Sequence, residues 1–496
     1  MAHSTASSPV VGESVLDIRP VVFVVGLFLI VLAVAMAPAA AVSLSEGGGD
    51  WVIFAAAAAV TVFVGLAMIL SCGGAKRRVN LRHVFLLATS IWAILPVFAA
   101  LPFCFGSAAL PYTDGFFEAM SGLTTTGATI LADVGAQSPA ILLWRSTLQW
   151  LGGIGIVLMA VTLLPMLRVG GMQVFKTEAF DTPDKIFSRV SPIALELAAI
   201  YALLTALWAA LYWLVGMTPF DAVNHAMTTL STGGFSTRPD GFAHWRSPAM
   251  LSVATGGMIV AALPFALYLQ AARGNWRPLF SDDQVHVFLA TLGLAAALIA
   301  AWLISDSGYD IGLAVLGAVF HATSIITGTG YTATDIQLWG GLPVLLLFVL
   351  QYVGGCAGST TCGFKVFRFQ VLFLAAKQQV ARMLRPHIVM LPHYNGRPLL
   401  TGTTDAVMAY FFLYALSVSW LAVGLSFLGL DFTTAISGAS SAISNVGPGF
   451  GEIIGPAGTY ATLPDAAKWM LAFGMLIGRL EILSVLVLLQ PAFWRE

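Results

Sequence analysis

Four short stretches of this chain share one pattern of hydroxyl residues and glycine: Thr124-Thr125-Thr126-Gly127-Ala128, Ser231-Thr232-Gly233-Gly234-Phe235, Thr327-Gly328-Thr329-Gly330-Tyr331 and Ser444-Asn445-Val446-Gly447-Pro448. Their aligned glycines lie 107, 96 and 117 residues apart, which marks an internal repeat. The chemistry such loops offer is that of main-chain oxygen. A ring of carbonyls can replace the hydration shell of a monovalent cation such as potassium, so four loops in one polypeptide predict a pseudo-fourfold pore. Glycine is required because a loop whose carbonyls all point inward needs backbone angles largely closed to residues with a Cβ. The expected ion ligands are the carbonyls of Thr125, Thr126 and Gly127, of Thr232, Gly233 and Gly234, of Gly328, Thr329 and Gly330, and of Asn445, Val446 and Gly447. The four strips differ in sequence, so the ring is not truly fourfold and its selection is expected to be less stringent than that of a symmetric one.

A chain of 496 residues that is 58% hydrophobic and 9% charged belongs in a membrane. Apolar runs long enough to span occur near 21–43, 51–71, 83–104, 141–165, 191–216, 248–270, 284–305, 341–378, 406–430 and 467–491. The fold class is therefore an all-α integral membrane protein with ten transmembrane helices. The segments 72–82, 167–190, 271–280 and 365–400 carry 16 Lys and Arg residues, whereas the opposite loops carry two, Arg238 and Arg246. By the positive-inside rule both termini are cytoplasmic and all four repeated loops face outward. Thirteen carboxylates on that outer side either concentrate cations or simply follow from the exclusion of positive charge. Residues 1–10 read as a disordered tail. Cys72, Cys104, Cys356 and Cys362 show no metal spacing and are expected to be reduced thiols.

Each repeat reads as span, short re-entrant helix, loop, span. The units run over 79–177, 178–282, 283–395 and 396–496, and residues 1–78 form an added two-helix hairpin at the periphery. Non-helical backbone at membrane depth is tolerated only where it is buried in protein or lines a water-filled cavity, which four loops satisfy by meeting on one axis. Asp114, Asp221 and Asp431 stand where a helix N-cap is wanted, while the third repeat has only Asp310, further upstream. Half-helices entering from outside direct their negative dipole ends toward a cation.

With the flanking motifs Arg145-Ser146-Thr147-Leu148-Gln149-Trp150-Leu151-Gly152-Gly153 and Gly478-Arg479-Leu480-Glu481-Ile482-Leu483, the chain resembles, over nearly its whole length, the Trk-type potassium uptake subunits of the Trk/Ktr/HKT superfamily. The resemblance implies potassium as the transported ion, since a glycine such as Gly127 at the first filter position accompanies potassium preference and a serine there accompanies sodium permeation. It also implies a homodimer in the bacterial inner membrane with a cytoplasmic TrkA-type regulatory ring that binds nicotinamide and adenine nucleotides. The chain has no GxGxxG leading into a helix, so it binds no nucleotide itself. Lys377, Arg382 and Arg385 are docking points for such a ring or express positive-inside bias alone.

Inside the overlong eighth apolar run lies Gly354-Gly355-Cys356-Ala357-Gly358-Ser359-Thr360-Thr361-Cys362-Gly363. So many small, helix-weakening residues at mid-membrane predict a break, or else close helix packing. By resemblance this is the intramembrane gating loop beneath the filter, with Thr361 and Cys362 where the family pattern has glycines. Arg479 falls near the middle of the last span. An intramembrane charge is a functional hypothesis by default, and the resemblance implies that it lines the pore beside the gating loop; the structural alternative is an ion pair with Glu481 or Glu196. Arg145 and Lys365 read as snorkelling residues. His225 and His321, placed alike before two filters, fit packing better than proton transfer.

Three functions compete. A gated, channel-like potassium permease leads. A symporter coupled to protons or sodium would need a titratable group in the path, for which His225, His321, Glu118 and Glu196 are the candidates. An enzyme is disfavoured because the chain contains no HExxH and no GxSxG. Neither composition nor charge suggests nucleic acid as a partner; membrane lipid is one by necessity.

Overall fold

The computed structural model describes residues 16–72, 80–162, 171, 186–245, 247–306, 308–387, 393–399, 402–456 and 458–494. The expected disordered tail, the repeat boundaries near 78 and 177, Arg246 and most of the basic segments 72–82 and 167–190 lie outside them. Among the described residues the regular secondary structure is helical apart from one hairpin, His393–Tyr394 paired with Arg397–Pro398.

Among the described residues seven helices are long and apolar enough to cross a membrane: Arg19–Ser45, Asp50–Ser71, Leu81–Phe105, Pro139–Val161, Pro192–Leu214, Asp283–Ser305 and Thr403–Phe427. Two further crossings are bent pairs. Pro248–Ala262 meets Phe265–Ala272 at 90°, and Asp465–Arg479 meets Ile482–Leu489 at 107°. The eighth apolar run consists of two helices, Gly341–Val353 and Val366–Leu384, separated by the glycine-rich loop 354–365.

Each interruption has a local cause. Pro264 follows the first bend and cannot donate a helical hydrogen bond. The second bend turns on Glu481, a non-glycine residue at φ +62°. Starts are equally legible: Asn80 and His83 form a reciprocal cap, and the Ser247 and Asp282 side chains accept from the Met250 and Gln284 N–H groups. The N-terminal pair of helices crosses at Gly26 and Gly65, where a Cβ on either would press within 2.8 Å of the other's carbonyl oxygen. This pair is not an isolated appendage, because Leu29, Leu32, Met36 and Phe54 share a buried cluster with Trp92 and Trp144.

Four shorter helices, Tyr112–Leu123, Pro219–Leu230, Ile311–Ile326 and Phe432–Ser444, are buried over their C-terminal halves, and each ends at one of the repeated loops. Their caps differ from expectation. Asp310 caps the third, accepting from the Gly312 and Leu313 N–H groups, because that helix begins earlier than its counterparts. Asp431 caps the fourth as expected. Thr218, not Asp221, caps the second, and the first has Pro111 at its cap, so Asp114 and Asp221 sit in the first turn and act through the helix dipole.

Candidate functional site

The four loops repeat in backbone angle as well as in sequence. The residue two before each aligned glycine is left-handed: Thr125, Thr232, Gly328 and Asn445 have φ of +52°, +52°, +77° and +51°. Gly127, Gly234 and Gly330 follow at +84°, +78° and +78°. Gly447 departs from the pattern because it precedes Pro448, which restricts its neighbour to extended backbone.

The loops also close on one another in chain order. A Cβ on Gly127 would overlap the Gly233 carbonyl oxygen, and one on Gly234 would overlap that of Thr329. A Cβ on Gly330 would stand 2.7 Å from Pro448 Cδ, and one on Gly447 would stand 2.7 Å from the carbonyl carbon of Gly127. First backs onto second, second onto third, third onto fourth, and fourth onto first. Glycine is therefore needed twice over, for its angles and because the neighbouring loop's backbone occupies the space.

Among the described residues, no N–H or O–H donates to the carbonyls of Thr125, Thr126, Gly127, Thr232, Gly234, Gly328, Thr329, Gly330 or Asn445. Six of these residues are buried, where carbonyls are ordinarily paired, and Gly127, Gly234 and Gly330 border the adjoining cavity. The other three are engaged from behind: Gln149 Nε2 donates to Gly233 O at 2.7 Å, Ser441 Oγ to Val446 O, and Tyr460 Oη to Gly447 O at 3.0 Å. Outside the ring lies a cavity of about 440 Å³ lined by all four glycines together with Arg238, Asp240 and Asp335.

Behind the ring a second repeat appears. Nine residues before the first three glycines stand Glu118, His225 and His321, each reaching the strip that leads away from its loop. Glu118 accepts from Ile130 N at 2.9 Å and Thr129 Oγ1 at 3.0 Å. His225 Nε2 meets Ser236 Oγ at 3.1 Å, and His321 Nε2 accepts from Ala333 N at 3.2 Å. The fourth repeat has Gly438 there, and its neighbour Ser437 accepts from Phe450 N at 3.0 Å. Because His321 Nε2 is an acceptor, its Nδ1 carries the proton and donates to Gly317 O at 2.9 Å, which defines a neutral imidazole. Glu118 and His321 hold backbone N–H groups of the strip, and His225 holds the Ser236 hydroxyl. Their common offset was visible in the sequence, where only the two histidines were linked.

Arg145 does not snorkel. It is 2% exposed, pairs with Glu118 at 2.7 Å, donates to Ser236 O and Thr129 Oγ1 at 3.1 Å each, and lies 4.0 Å from the Phe235 ring centroid. It thereby ties the first loop to the second. Lys365 is likewise buried and faces Glu481 at 3.9 Å, while Glu481 also pairs with Arg368. The cysteines are free thiols. Of the aromatic residues, Trp150 donates to Thr205 Oγ1 and Trp302 to Trp339 O, both packing roles, and Trp420 is exposed.

The glycine-rich loop breaks the helix where expected. Gly354, Gly358 and Gly363 have φ of +71°, +78° and +82°, and residues 354–362 are buried. It docks on the bend of the Pro248–Ala262 helix: Cys356 N donates to Ala262 O at 3.1 Å, Thr360 N to Ala261 O at 3.3 Å, and Phe265 N to Gly358 O at 2.9 Å. Two helix breaks thus satisfy each other's freed backbone groups, as a membrane interior demands. Gln284, absent from the sequence reading and without a signal there, accepts from Ala357 N at 2.8 Å. Thr360 Oγ1 lies 3.4 Å from Thr232 Oγ1, so the loop touches the ring itself.

Arg479 reaches this loop from the last span. Its Nη1 donates to Thr360 O at 3.2 Å and contacts Cys362 Sγ; its Nη2 donates to Gly152 O at 3.2 Å. The Trp92 ring centroid lies 5.5 Å away, and the buried Nε has no partner among the described residues. Neither expected carboxylate pairs with it, since Glu481 faces Arg368 and Lys365 while Glu196 meets Arg273 at 2.7 Å.

Four loops that close on one another within a bundle of helices long and apolar enough to span are the architecture of a membrane transport protein. The family comparison agrees: residues 51–274 and 286–495 match the model of the TrkH cation transport proteins, and the chain belongs to that family, whose members are not enzymes. It is 43% identical over 481 residues to the Trk system potassium uptake protein TrkI of Halomonas elongata, covering 96% of this chain and 97% of that one. Identity to the Trk system potassium uptake protein TrkH of Escherichia coli K12 is 34% over 490 residues, covering 96% and 99%. The crystal structure of the potassium transporter TrkH from Vibrio parahaemolyticus superposes with a TM-score of 0.90 at 34% identity, over 97% of this chain and all of that one.

Proposed function

We propose that the chain takes up potassium across the bacterial inner membrane through a channel-like pore, selected at the four-loop ring and gated by the 354–363 loop with Arg479. The observation that carries this reading is the closed succession of four loops with nine carbonyls that no N–H or O–H of the described residues reaches. An ion entering from the outer cavity meets oxygen from each repeat in turn, and potassium, the ion in the names of the relatives, is the cargo such a ring suits. Below it, the guanidinium of Arg479 against the loop opposes a dwelling cation, and withdrawing the loop opens the path. Glu118, His225 and His321 serve as braces of the strips that follow the loops, which favours passive conduction over proton coupling.

Gating from the cytoplasm by a TrkA-type nucleotide-binding ring, acting on a homodimer, completes the reading. The Val366–Leu384 helix supports it, since it begins at the loop and ends with Lys377, Arg382 and Arg385 exposed beside Val380, Met383 and Leu384. Potassium flux into liposomes at fixed voltage, with and without a proton gradient, tests the proposal. Flux that follows the potassium gradient alone is expected; uphill accumulation driven by protons would overturn it. Gly127→Ser is expected to lower potassium-over-sodium selectivity, because its Cβ meets the second loop's backbone. Unchanged permeability ratios in that variant would remove Gly127 from the filter.

A further inference from the structure

Beside the gate, an apolar cavity of about 260 Å³ opens between the Arg19–Ala35, Leu81–Ala99 and Pro139–Thr162 helices. Its wall follows one helix from Leu87 to Leu95, a rise of about 12 Å at 1.5 Å per residue, so it is elongated along the membrane normal. Val31 and Phe28 at its rim are 54% and 41% exposed, which in a spanning helix means exposed to lipid. Water needs polar partners that this lining lacks, and an empty void forfeits dispersion contacts. A narrow apolar slot continuous with hydrocarbon suits one occupant, a lipid chain.

The cavity's inner wall is the support of the gate. Trp92 lines it and carries Arg479 over its ring; Gly152 lines it and receives Arg479 Nη2 on its carbonyl; Leu123, the last residue of the first pore helix, lines it as well. We propose that an acyl chain of a membrane phospholipid occupies this cavity and presses Trp92 and Gly152 into the positions that hold Arg479 on the gating loop. The occupancy stands on the cavity alone, whereas the effect on flux rests on the gating role proposed above.

The test uses the full chain in phosphatidylglycerol vesicles containing a phosphatidylglycerol with a diazirine midway along one acyl chain. Photolysis is expected to label peptides spanning 87–95 and 151–159. Gly155→Leu fills the cavity and is expected to reduce that label several-fold, while label on lipid-facing Leu203 and Leu214 persists. Gly155→Ala, whose Cβ would stand 3.5 Å from Trp92 Cζ2 in ordinary contact, is expected to keep the label and serves as the folding control. Equal labelling in Gly155→Leu, no labelling of these peptides above background, or their cross-linking to a second copy of the chain would overturn the site. Potassium flux in short-chain and long-chain vesicles is expected to differ for the native protein and not for Gly155→Leu. Flux indifferent to chain length in the native protein, with labelling as expected, overturns the coupling. If Arg479→Ala leaves flux unchanged while labelling stands, the gating reading fails and the lipid site survives it.

Discussion

The carbonyl ring and the glycine-rich loop are both irregular backbone buried at membrane depth, yet they are held in opposite ways. Each ring loop is fixed at both ends. On the helix side Thr126 N, Gly233 N, Gly330 N and Val446 N return to the carbonyls of Ser121, Thr228, Ser324 and Ser441; on the other side stand Glu118, His225, His321 and Ser437. The glycine-rich loop relies instead on main-chain bonds to one helix bend, on Gln284, and on Arg479, which has no carboxylate partner among the described residues. A selective ring must keep its carbonyls presented to the ion. A gate must have a second state within a few kcal/mol of the first. Braced loops suit the selecting role proposed for the ring, and a loop tied to one helix bend suits the role proposed for the gate.

The widest separation between the two regions is expected from Glu118→Ala. It strands the buried Arg145 charge and frees the Thr129 and Ile130 donors, and breaking a buried pair from one side costs about 3–5 kcal/mol. Thermal stability of the purified protein is expected to fall sharply, with potassium selectivity lost in whatever folds. A variant that keeps both would show that the ring does not depend on this brace.

Arg479→Ala probes the other region. It removes two bonds to main-chain carbonyls and a cation over Trp92 without abandoning a charged partner, so the fold should persist. Basal potassium flux at equal reconstitution is expected to rise about tenfold, equivalent to about 1.4 kcal/mol in the open-closed balance. Unaltered flux would make Arg479 a purely structural residue. Gln284→Leu acts more gently, leaving Ala357 N without its acceptor at a cost of about 1–3 kcal/mol borne by the closed loop. A few-fold rise in basal flux with unchanged ion selectivity is expected, and altered selectivity would argue that loop and ring are not separable.

What the sequence revealed follows the same division. Glycines at 107-, 96- and 117-residue spacing exposed the loops, and hydropathy exposed the spans, because both are local constraints. The break at 354–365 was legible for the same reason, and so was Arg479 as a charge out of place. The partners of those residues were not legible. Arg145 and Lys365 looked like span-end charges because the sequence cannot show that Glu118 and Glu481 turn inward to meet them. Gln149 stood out only as one member of a motif and Gln284 gave no signal at all, since one uncharged amide in an apolar helix becomes informative only when a distant backbone amide or carbonyl is set against it. The bends at 263–264 and 480–481 were read as straight spans for a related reason, as a helix can leave its axis only where another broken segment takes up its hydrogen bonds.

The smallest effect concerns the outer mouth, where Asp221 holds the second pore helix to the strip after its loop. Its carboxylate accepts from Thr237 Oγ1 at 2.6 Å, Arg238 Nη2 at 2.7 Å and Thr218 Oγ1 at 2.9 Å. Burial pushes its pKa up, but these hydrogen bonds and the Arg238 charge outweigh that and hold it below the ordinary carboxylate value. A depressed pKa means the folded state binds the proton less readily than the unfolded chain, so the stabilisation is complete above the unfolded value of about 3.9 and is lost as pH falls through the folded value. Acidification from neutral pH to about 5 should therefore leave this contribution intact. The native protein is expected to melt above Asp221→Asn by a margin that stays constant across that range and narrows only in stronger acid. A margin that already shrinks between neutral pH and about 5 would place the titration of Asp221 above the ordinary range and contradict the hydrogen bonds that hold it ionised.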